Sequence, residues 1–183
     1  LASRKHDKSL HDLNALAHAG LLGLHVHERQ EDIIDPPFLP ISGISFGHKG
    51  ATDFLAAMIK AMQEKQTIFH QTYLDEATEE VLGIFWPHKD RQNDRRKFLH
   101  NGHYPCYAIY RTRDHKFVAL AAVEEKFWLK FAEIFEISIE KDKRFFNEDM
   151  SVFQLISEKI KQKSLSEIEE LIRHDDLCLT PIP

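Results

Sequence analysis

This sequence of 183 residues has few cysteines, no long apolar run and no excess of basic residues. The two cysteines, Cys106 and Cys178, stand far apart and predict reduced thiols in a cytoplasmic protein, with a single disulfide as the alternative. No apolar run approaches the roughly 18 residues of a membrane span, and no signal-peptide pattern opens the chain. The net charge is −5, which disfavours a nucleic-acid partner.

A complete set of metal ligands is also missing, although histidine is plentiful at 12 residues. His25 with His27 and His100 with His103 are spaced so that each pair can supply two ligands. No cysteine or carboxylate pattern completes a tetrahedral set around either pair, so we predict no metal site and no bound cofactor.

What the sequence does contain is typical of a folded globular protein. Hydrophobic residues make up 43% and charged residues 29% of the chain. Its length of 183 residues is enough for one domain or a small pair of domains. The chain opens on a leucine, which raises the expectation that it is a piece of a longer protein.

The stretch from Leu10 to Gly23 has apolar residues at helical spacing and predicts a helix with Ser9 as its N-cap. His11 and Asp12 then fall in the first turn. The helix dipole disfavours positive charge at that end, so His11 is expected to stay neutral and to be able to accept a proton. The alternative is that His11 is an ordinary surface or packing histidine.

The rest of the chain predicts a helix-rich α/β protein. Residues 25–40 are polar and then rich in proline, and Ile41 to Gly50 predicts a loop because it contains three glycines. The helix from Ala51 to Gln66 is expected to bury Phe54, Leu55, Met58 and Met62. Helical periodicity further predicts helices at 74–86, 126–136, 151–163 and 165–173, and strands are expected near 67–70, 106–112 and 116–122.

Several blocks resemble the alpha-methylacyl-CoA racemases of the class III CoA-transferase superfamily. His11-Asp12-Leu13-Asn14 is similar to the opening of their segment H-D-I/L-N-Y-L/I-A-L-S/N-G. The segment from Asn101 to Tyr110 is similar to D/N-G-x-x-P-x-Y-x-x-Y, and Ala121 to Trp128 to G/A-A-I/V/L-E-x-x-F-W/Y. Asp175 to Ile182 is similar to the family strand D-A-C-V/L-x-P-V. The blocks follow in the family's order over residues 9–182.

The resemblance implies a class III CoA-transferase-like fold whose Rossmann-like part is incomplete. Residues 1–100 would belong to the large domain, and residues 101–183 would form a small domain with a hairpin and helices. In the family this span is the middle of a chain about twice as long, so the polypeptide is either a fragment or a shortened relative. The family's members are interlocked homodimers, which implies the same partner here.

The resemblance also implies site residues. His11 would be a catalytic base and Glu124 its partner, and Asp12, Asn101, Gly102 and Tyr107 would bind the substrate. For Glu124 the alternative is a carboxylate that only stabilises the start of a helix. The charged loop with Lys89, Arg91, Arg95 and Arg96 is either a solvated connection or a contact for CoA phosphates.

One departure from the family concerns its catalytic aspartate, which should lie at about Phe46 or Ser45. No acidic residue occurs between Ile41 and Thr52; Asp53 and His48 are the nearest candidates to replace it. The resemblance implies a racemase or epimerase that removes and returns the proton alpha to the thioester of a 2-methylacyl-CoA. A CoA-transferase with a displaced nucleophile, or a non-catalytic relative, is the alternative.

Overall fold

The structure, a computed structural model, describes residues 3–4, 9–26, 30–85, 99–146 and 148–182. The chain divides into two compact units, Leu1–Arg95 and Arg96–Pro183. The first unit contains four helices in its described part: α1 (Asp12–His18), α2 (Leu21–His25), α3 (Ile41–Glu64) and α4 (Leu74–Phe85). No described helix in either unit has the length and apolar character needed to cross a bilayer.

The predicted first helix is interrupted after Ala19. Gly20 adopts φ +84°, a left-handed conformation that glycine tolerates and that ends a helix. The helix also begins later than predicted, because His11 is the N-cap and Ser9 is not. Leu10 and Leu16 are buried as the periodicity predicted, but Leu13 is 46% exposed.

Helix α3 corrects the prediction of a glycine-rich loop, because it starts at Ile41 and runs without a break to Glu64. Its polar residues Ser42, Ser45, Lys49 and Asp53 recur every three or four positions and lie on one face of the helix. This face packs within the first unit: Phe46 lies against Leu10, Ala15 and Leu74, and Lys49 pairs with Glu80 of α4. The opposite face is apolar and exposed, so the stripe predicted to be buried is not buried within the described chain.

The strand predicted at 67–70 is absent from the structure, which gives residues 66–73 no regular secondary structure. Thr67 and Phe69 have strand-forming side chains but are exposed, and among the described residues no strand pairs with them.

The second unit is built on a three-stranded antiparallel sheet in the order β1 (Tyr107–Arg111), β2 (Phe117–Ala121) and β3 (Leu179–Ile182). Helices α5 (Glu125–Ile134), α6 (Ser151–Ile160) and α7 (Leu165–Leu171) complete it, with 3₁₀ turns at Leu99–Asn101 and Lys141–Phe145. The predicted hairpin is confirmed, since Tyr107 pairs with Ala121 and Arg111 with Phe117.

The core of the second unit lies on one side of the sheet. Val118 and Leu120 point into it beside Trp128, Phe131 and Ile156, and all five side chains are at most 2% exposed. Burying side chains of this size contributes about 1.5–3 kcal/mol each. The core therefore supports the hairpin from one side.

The hairpin turn is fixed to the start of α7. The Asp114 carboxylate accepts hydrogen bonds from the Thr112 hydroxyl (2.7 Å) and from the Leu165 N–H (3.0 Å). The Thr112 hydroxyl holds the pKa of Asp114 below its usual range, assisted by the Leu165 N–H. A capping box opens α7, with Ser164 and Glu167 each accepting the other's backbone N–H.

Candidate functional site

His11 lies at the start of α1, where the resemblance predicted a catalytic histidine. As the N-cap it has an extended backbone (φ −107°, ψ 174°), and its side chain is exposed. The His11 N–H donates to the Asn14 side-chain oxygen at 3.2 Å, which fixes the backbone next to the imidazole. The geometry therefore presents an accessible imidazole on a backbone that is held in place.

Asp12 joins the starts of two helices. Its Oδ1 accepts the Gly43 N–H at 2.7 Å, and Gly43 lies in the first turn of α3. The N-cap of α3 is Pro40, whose side chain cannot accept a hydrogen bond, so the Asp12 carboxylate supplies a partner from outside the helix. The contact brings the start of α3 to the start of α1.

The two positions expected for the family's aspartate also lie at the start of α3. The Ser45 hydroxyl is buried and donates to the Ile41 carbonyl at 2.6 Å, and Phe46 packs into the small core of the first unit. Ser42, one turn earlier, is fully buried, and its hydroxyl has no hydrogen-bond partner among the described residues. The place of the aspartate thus contains hydroxyl groups and an aromatic ring.

Asp53, named above as a possible replacement, belongs to a separate cluster. It lies ten residues beyond Gly43 on α3, or about 15 Å along the helix axis. Its Oδ2 accepts from the Thr72 hydroxyl at 2.8 Å and lies 3.0 Å from His70 Nε2. The Thr72 hydroxyl holds the pKa of Asp53 below its usual range, and His70 and Lys49 act in the same direction. A carboxylate held in this way is a poor proton donor.

The second unit has a groove of about 620 Å³ beside its hairpin. Two of the predicted substrate-binding residues, Gly102 and Tyr107, line it together. Gly102 adopts φ +80°, which explains in conformational terms why this motif position is a glycine. Most of the remaining lining is apolar and comes from the strands and α6: Ala108, Ile109, Ala119, Leu120, Ala121, Met150 and Phe153.

His100 also lines the groove, whereas the sequence indicated it only as a possible metal ligand. Its ring meets the Tyr107 ring edge to face, with the centroids 5.1 Å apart. Its position one residue before the Asn101-Gly102 motif was the available signal. Asn101 ends the same 3₁₀ turn, but its side chain lies outside the described part of the structure.

Glu124 is the N-cap of α5, with φ −74° and ψ 142°, and its side chain is exposed and accepts no capping hydrogen bond. His11 and Glu124 belong to different units, so their pairing stays a prediction. The charged loop with Lys89, Arg91, Arg95 and Arg96 lies outside the described residues, as does His27.

The described residues also include the two cysteines and most of the histidines that were considered as metal ligands. Cys106 and Cys178 are both free, and burial raises the pKa of the Cys106 thiol to about 11. No group of three or more histidine, cysteine, aspartate or glutamate side chains among the described residues is arranged to hold a metal ion.

Comparison with known proteins gives one family. Residues 2–183 match the model of CoA-transferase family III. A CaiB/baiF CoA-transferase family protein of Caenorhabditis elegans, ZK892.4, is 27% identical over 84 residues, which cover 46% of this chain and 24% of that protein.

Solved structures show the same fold. The crystal structure of the hypothetical protein Rv3272 from Mycobacterium tuberculosis aligns with a TM-score of 0.69 and 15% identity over 97% of this chain. A mutant of Rv3272 gives a TM-score of 0.71 and 15% identity over 99% of this chain. In both comparisons this chain covers 48% of the other, so it spans about half the length of the structures that it matches.

Proposed function

Because the chain belongs to CoA-transferase family III, we propose that the protein acts on an acyl-CoA thioester, as a racemase or epimerase at the alpha carbon of a 2-methylacyl group. The observation that carries this proposal is the groove of the second unit, which combines Gly102 and Tyr107 of the matched motif with an apolar lining. A branched acyl chain needs an apolar wall with few polar groups, which is the usual character of a small-molecule site.

In this reaction His11 removes the proton from the alpha carbon. The carbon–hydrogen bond breaks, its electron pair moves towards the thioester carbonyl to form an enolate, and the proton goes to the imidazole. Return of a proton to the opposite face inverts the configuration, and return to the same face restores it. Glu124 is proposed to orient the imidazole, as the resemblance implies, and the accessible imidazole of His11 supports its role.

Asn101, Gly102 and Tyr107 are proposed to bind the substrate. The groove supports this role for Gly102 and Tyr107, since both residues line it. The edge-to-face contact of His100 with Tyr107 holds the tyrosine ring at the edge of the groove. The two free cysteines support a reducing compartment such as the cytoplasm as the location.

We propose an interlocked homodimer as the assembly. Its support is the outer face of α3, where Phe54, Leu55, Met58 and Met62 are between 43% and 73% exposed. A contiguous apolar face on a helix is typical of a surface that another chain covers.

A CoA-transferase activity is the second candidate, and the similarity to a CoA-transferase family protein of Caenorhabditis elegans favours it. Transfer through a covalent intermediate requires a carboxylate nucleophile that attacks the thioester. The start of α3 has no acidic residue between Ile41 and Thr52, so the nucleophile would have to come from elsewhere. A non-catalytic relative would bind the acyl-CoA and leave it unchanged.

The proposal is tested by exchange of the alpha proton. We expect the purified protein to incorporate deuterium into a 2-methylacyl-CoA in heavy water, followed by NMR. In His11→Ala the incorporation should fall by at least about 100-fold, the lower end of the usual contribution of a general base. His174→Ala, which removes an exposed histidine in the second unit, is the matched control and should retain activity.

Other outcomes select the alternatives. Acyl-CoA binding without exchange would overturn the racemase proposal and identify a non-catalytic relative. Trapping of an acyl-enzyme with hydroxylamine, together with CoA transfer to an acceptor acid, would identify a transferase.

A further inference from the structure

The start of α1 is held by two contacts that the proposed reaction does not use directly. The His11 N–H donates to Asn14 Oδ1 at 3.2 Å, and the next residue, Asp12, accepts the Gly43 N–H at 2.7 Å. The first contact lies within α1, whereas the second crosses from α1 to α3. The Asp12 carboxylate is therefore a polar link between the residue next to His11 and α3, beside the apolar contact of Phe46 with Leu10 and Ala15.

We propose that Asp12 is a positioning residue, whose carboxylate fixes His11 at the start of α3 and does not itself contact the substrate. This inference rests on the proposed role of His11 as the base. It assigns the Asp12 side chain a different task from the substrate binding that the resemblance implies.

The lengths of the two helices explain why the Asp12–Gly43 hydrogen bond matters for the position of α1. α1 has seven residues, well below the length at which an isolated helix is stable in water. α3 has 24 residues and is the long element of the unit. A short helix takes its position from the long helix against which it packs, and the Asp12–Gly43 hydrogen bond joins their first turns.

The first turn of α3 has no acceptor of its own for this N–H. Pro40, its N-cap, makes no side-chain hydrogen bond. The Ser45 hydroxyl is used on the Ile41 carbonyl, and the Ser42 hydroxyl is buried without a partner among the described residues. Loss of the Asp12 carboxylate would therefore leave the Gly43 N–H unsatisfied in a part-buried place, which costs more than loss of an exposed contact.

Electrostatics favours a carboxylate at this point. Asp12 occupies the first turn of α1 and accepts a hydrogen bond from the first turn of α3. Negative charge is stabilised near the N-terminus of a helix, and Asp12 lies near two such termini. An asparagine would keep the acceptor oxygen but lose the charge.

The test compares Asp12→Ala with Asp12→Asn in the intact protein. The first measurement is hydrogen–deuterium exchange of the Gly43 amide by NMR, and the second is the 15N shift of the His11 imidazole. We expect the Gly43 amide to exchange about tenfold faster or more in Asp12→Ala, the effect of one charge-assisted hydrogen bond. The imidazole shift should change in Asp12→Ala and return most of the way in Asp12→Asn.

The third measurement is alpha-proton exchange into a 2-methylacyl-CoA. In Asp12→Ala we expect a lower kcat with little change in KM, because the base is displaced while the groove is intact. Rescue of kcat by Asp12→Asn is expected. Asp32→Ala is the control, since Asp32 is an exposed acid of the same unit and the substitution is the same.

The outcomes separate the two proposals. If Gly43 protection and the imidazole shift are unchanged in Asp12→Ala, the positioning role is wrong, whatever the activity. If KM rises while kcat is kept, Asp12 binds substrate and the positioning role is again overturned. If the wild-type protein exchanges no alpha proton, the proposed function fails, and the two NMR measurements still decide whether Asp12 positions His11.

Discussion

At the scale of single residues, a left-handed backbone is unfavourable for a residue that is not glycine. His115, in the turn between β1 and β2, has φ +63°, a conformation that favours glycine. Its N–H still donates to the Thr112 carbonyl at 3.2 Å, so the turn closes in spite of the side chain. A residue other than glycine pays about 1–2 kcal/mol for this conformation.

His115→Gly should therefore stabilise the protein by about 0.5–1 kcal/mol. The gain is smaller than the strain because glycine also increases the entropy of the unfolded chain. Urea unfolding followed by tryptophan fluorescence measures the change, since Trp128 lies in the core of the same unit.

Lys116→Gly is the matched control for this turn. Lys116 is the next residue in the turn and is also exposed, but its backbone has no positive φ. Glycine there should lower the stability by a few tenths to about 1 kcal/mol. Equal effects of the two substitutions would show that strain at His115 is absent.

At the scale of the element, α3 shows what sequence patterns can and cannot reveal. The apolar stripe with Leu55, Met58 and Met62 was recognised from its spacing, but spacing does not say what covers a stripe. The start of the helix was missed because Gly43, Gly47 and Gly50 favour a loop locally. The contacts of its polar face within the unit overcome that preference.

The connection from α3 to α4 is held by the cluster around Asp53. Beyond Gln66, the described side-chain hydrogen bonds and ion pairs that tie this connection to α3 are those of His70 and Thr72, and both end on Asp53 Oδ2. Asp53 also pairs with Lys49 at 3.5 Å, and Lys49 pairs with Glu80 at 2.9 Å. Asp53 thus links α3 directly to the connection, and through Lys49 to α4.

This cluster predicts a pH dependence of local stability. The pKa of Asp53 is lowered from its usual value of 3.8, so its contribution is present above that value and is lost as the pH falls through the lower, folded value. In Asp53→Asn the amides of residues 67–73 should exchange faster at neutral pH, and the acid-induced loss of their protection should be smaller. Hydrogen exchange from pH 7 down to pH 3 measures both.

Asp32→Asn provides the comparison for this experiment, because Asp32 is exposed and lies outside the cluster. It should leave the exchange of residues 67–73 as in the wild type at each pH. The same exchange in Asp53→Asn and in the wild type would mean that other contacts hold the connection.

At the scale of the whole molecule, prediction and structure agree best where the local sequence pattern is strong. The hairpin and the helices of the second unit were predicted close to their observed bounds. The third strand was implied by the resemblance at Asp175 to Ile182 and forms at Leu179–Ile182. The strand predicted at 67–70 failed because a strand needs a partner that sequence alone does not supply.

Only part of the candidate site could be predicted from the sequence, and the reason is physical. His11 and Gly102 belong to short motifs that the resemblance identified, and their roles stay predictions. The Asp12–Gly43 contact joins residues 31 positions apart, and the groove combines strands with α6, so both depend on tertiary structure. Neither arrangement has a periodic or compositional signal in the sequence.

The proposed homodimer is the prediction that concerns the whole molecule. If the outer face of α3 lies in the interface, Leu55→Glu should weaken association by at least about 100-fold, because a buried leucine is lost from both copies. Analytical ultracentrifugation over a range of concentrations measures this shift. Gln63→Glu adds the same charge at an exposed polar position of α3 and should leave association unchanged. Circular dichroism should show equal helix content in both variants, because Leu55 is already 53% exposed in the single chain. A wild-type protein that is monomeric at every concentration, or equal association of the two variants, would exclude this face as the dimer interface.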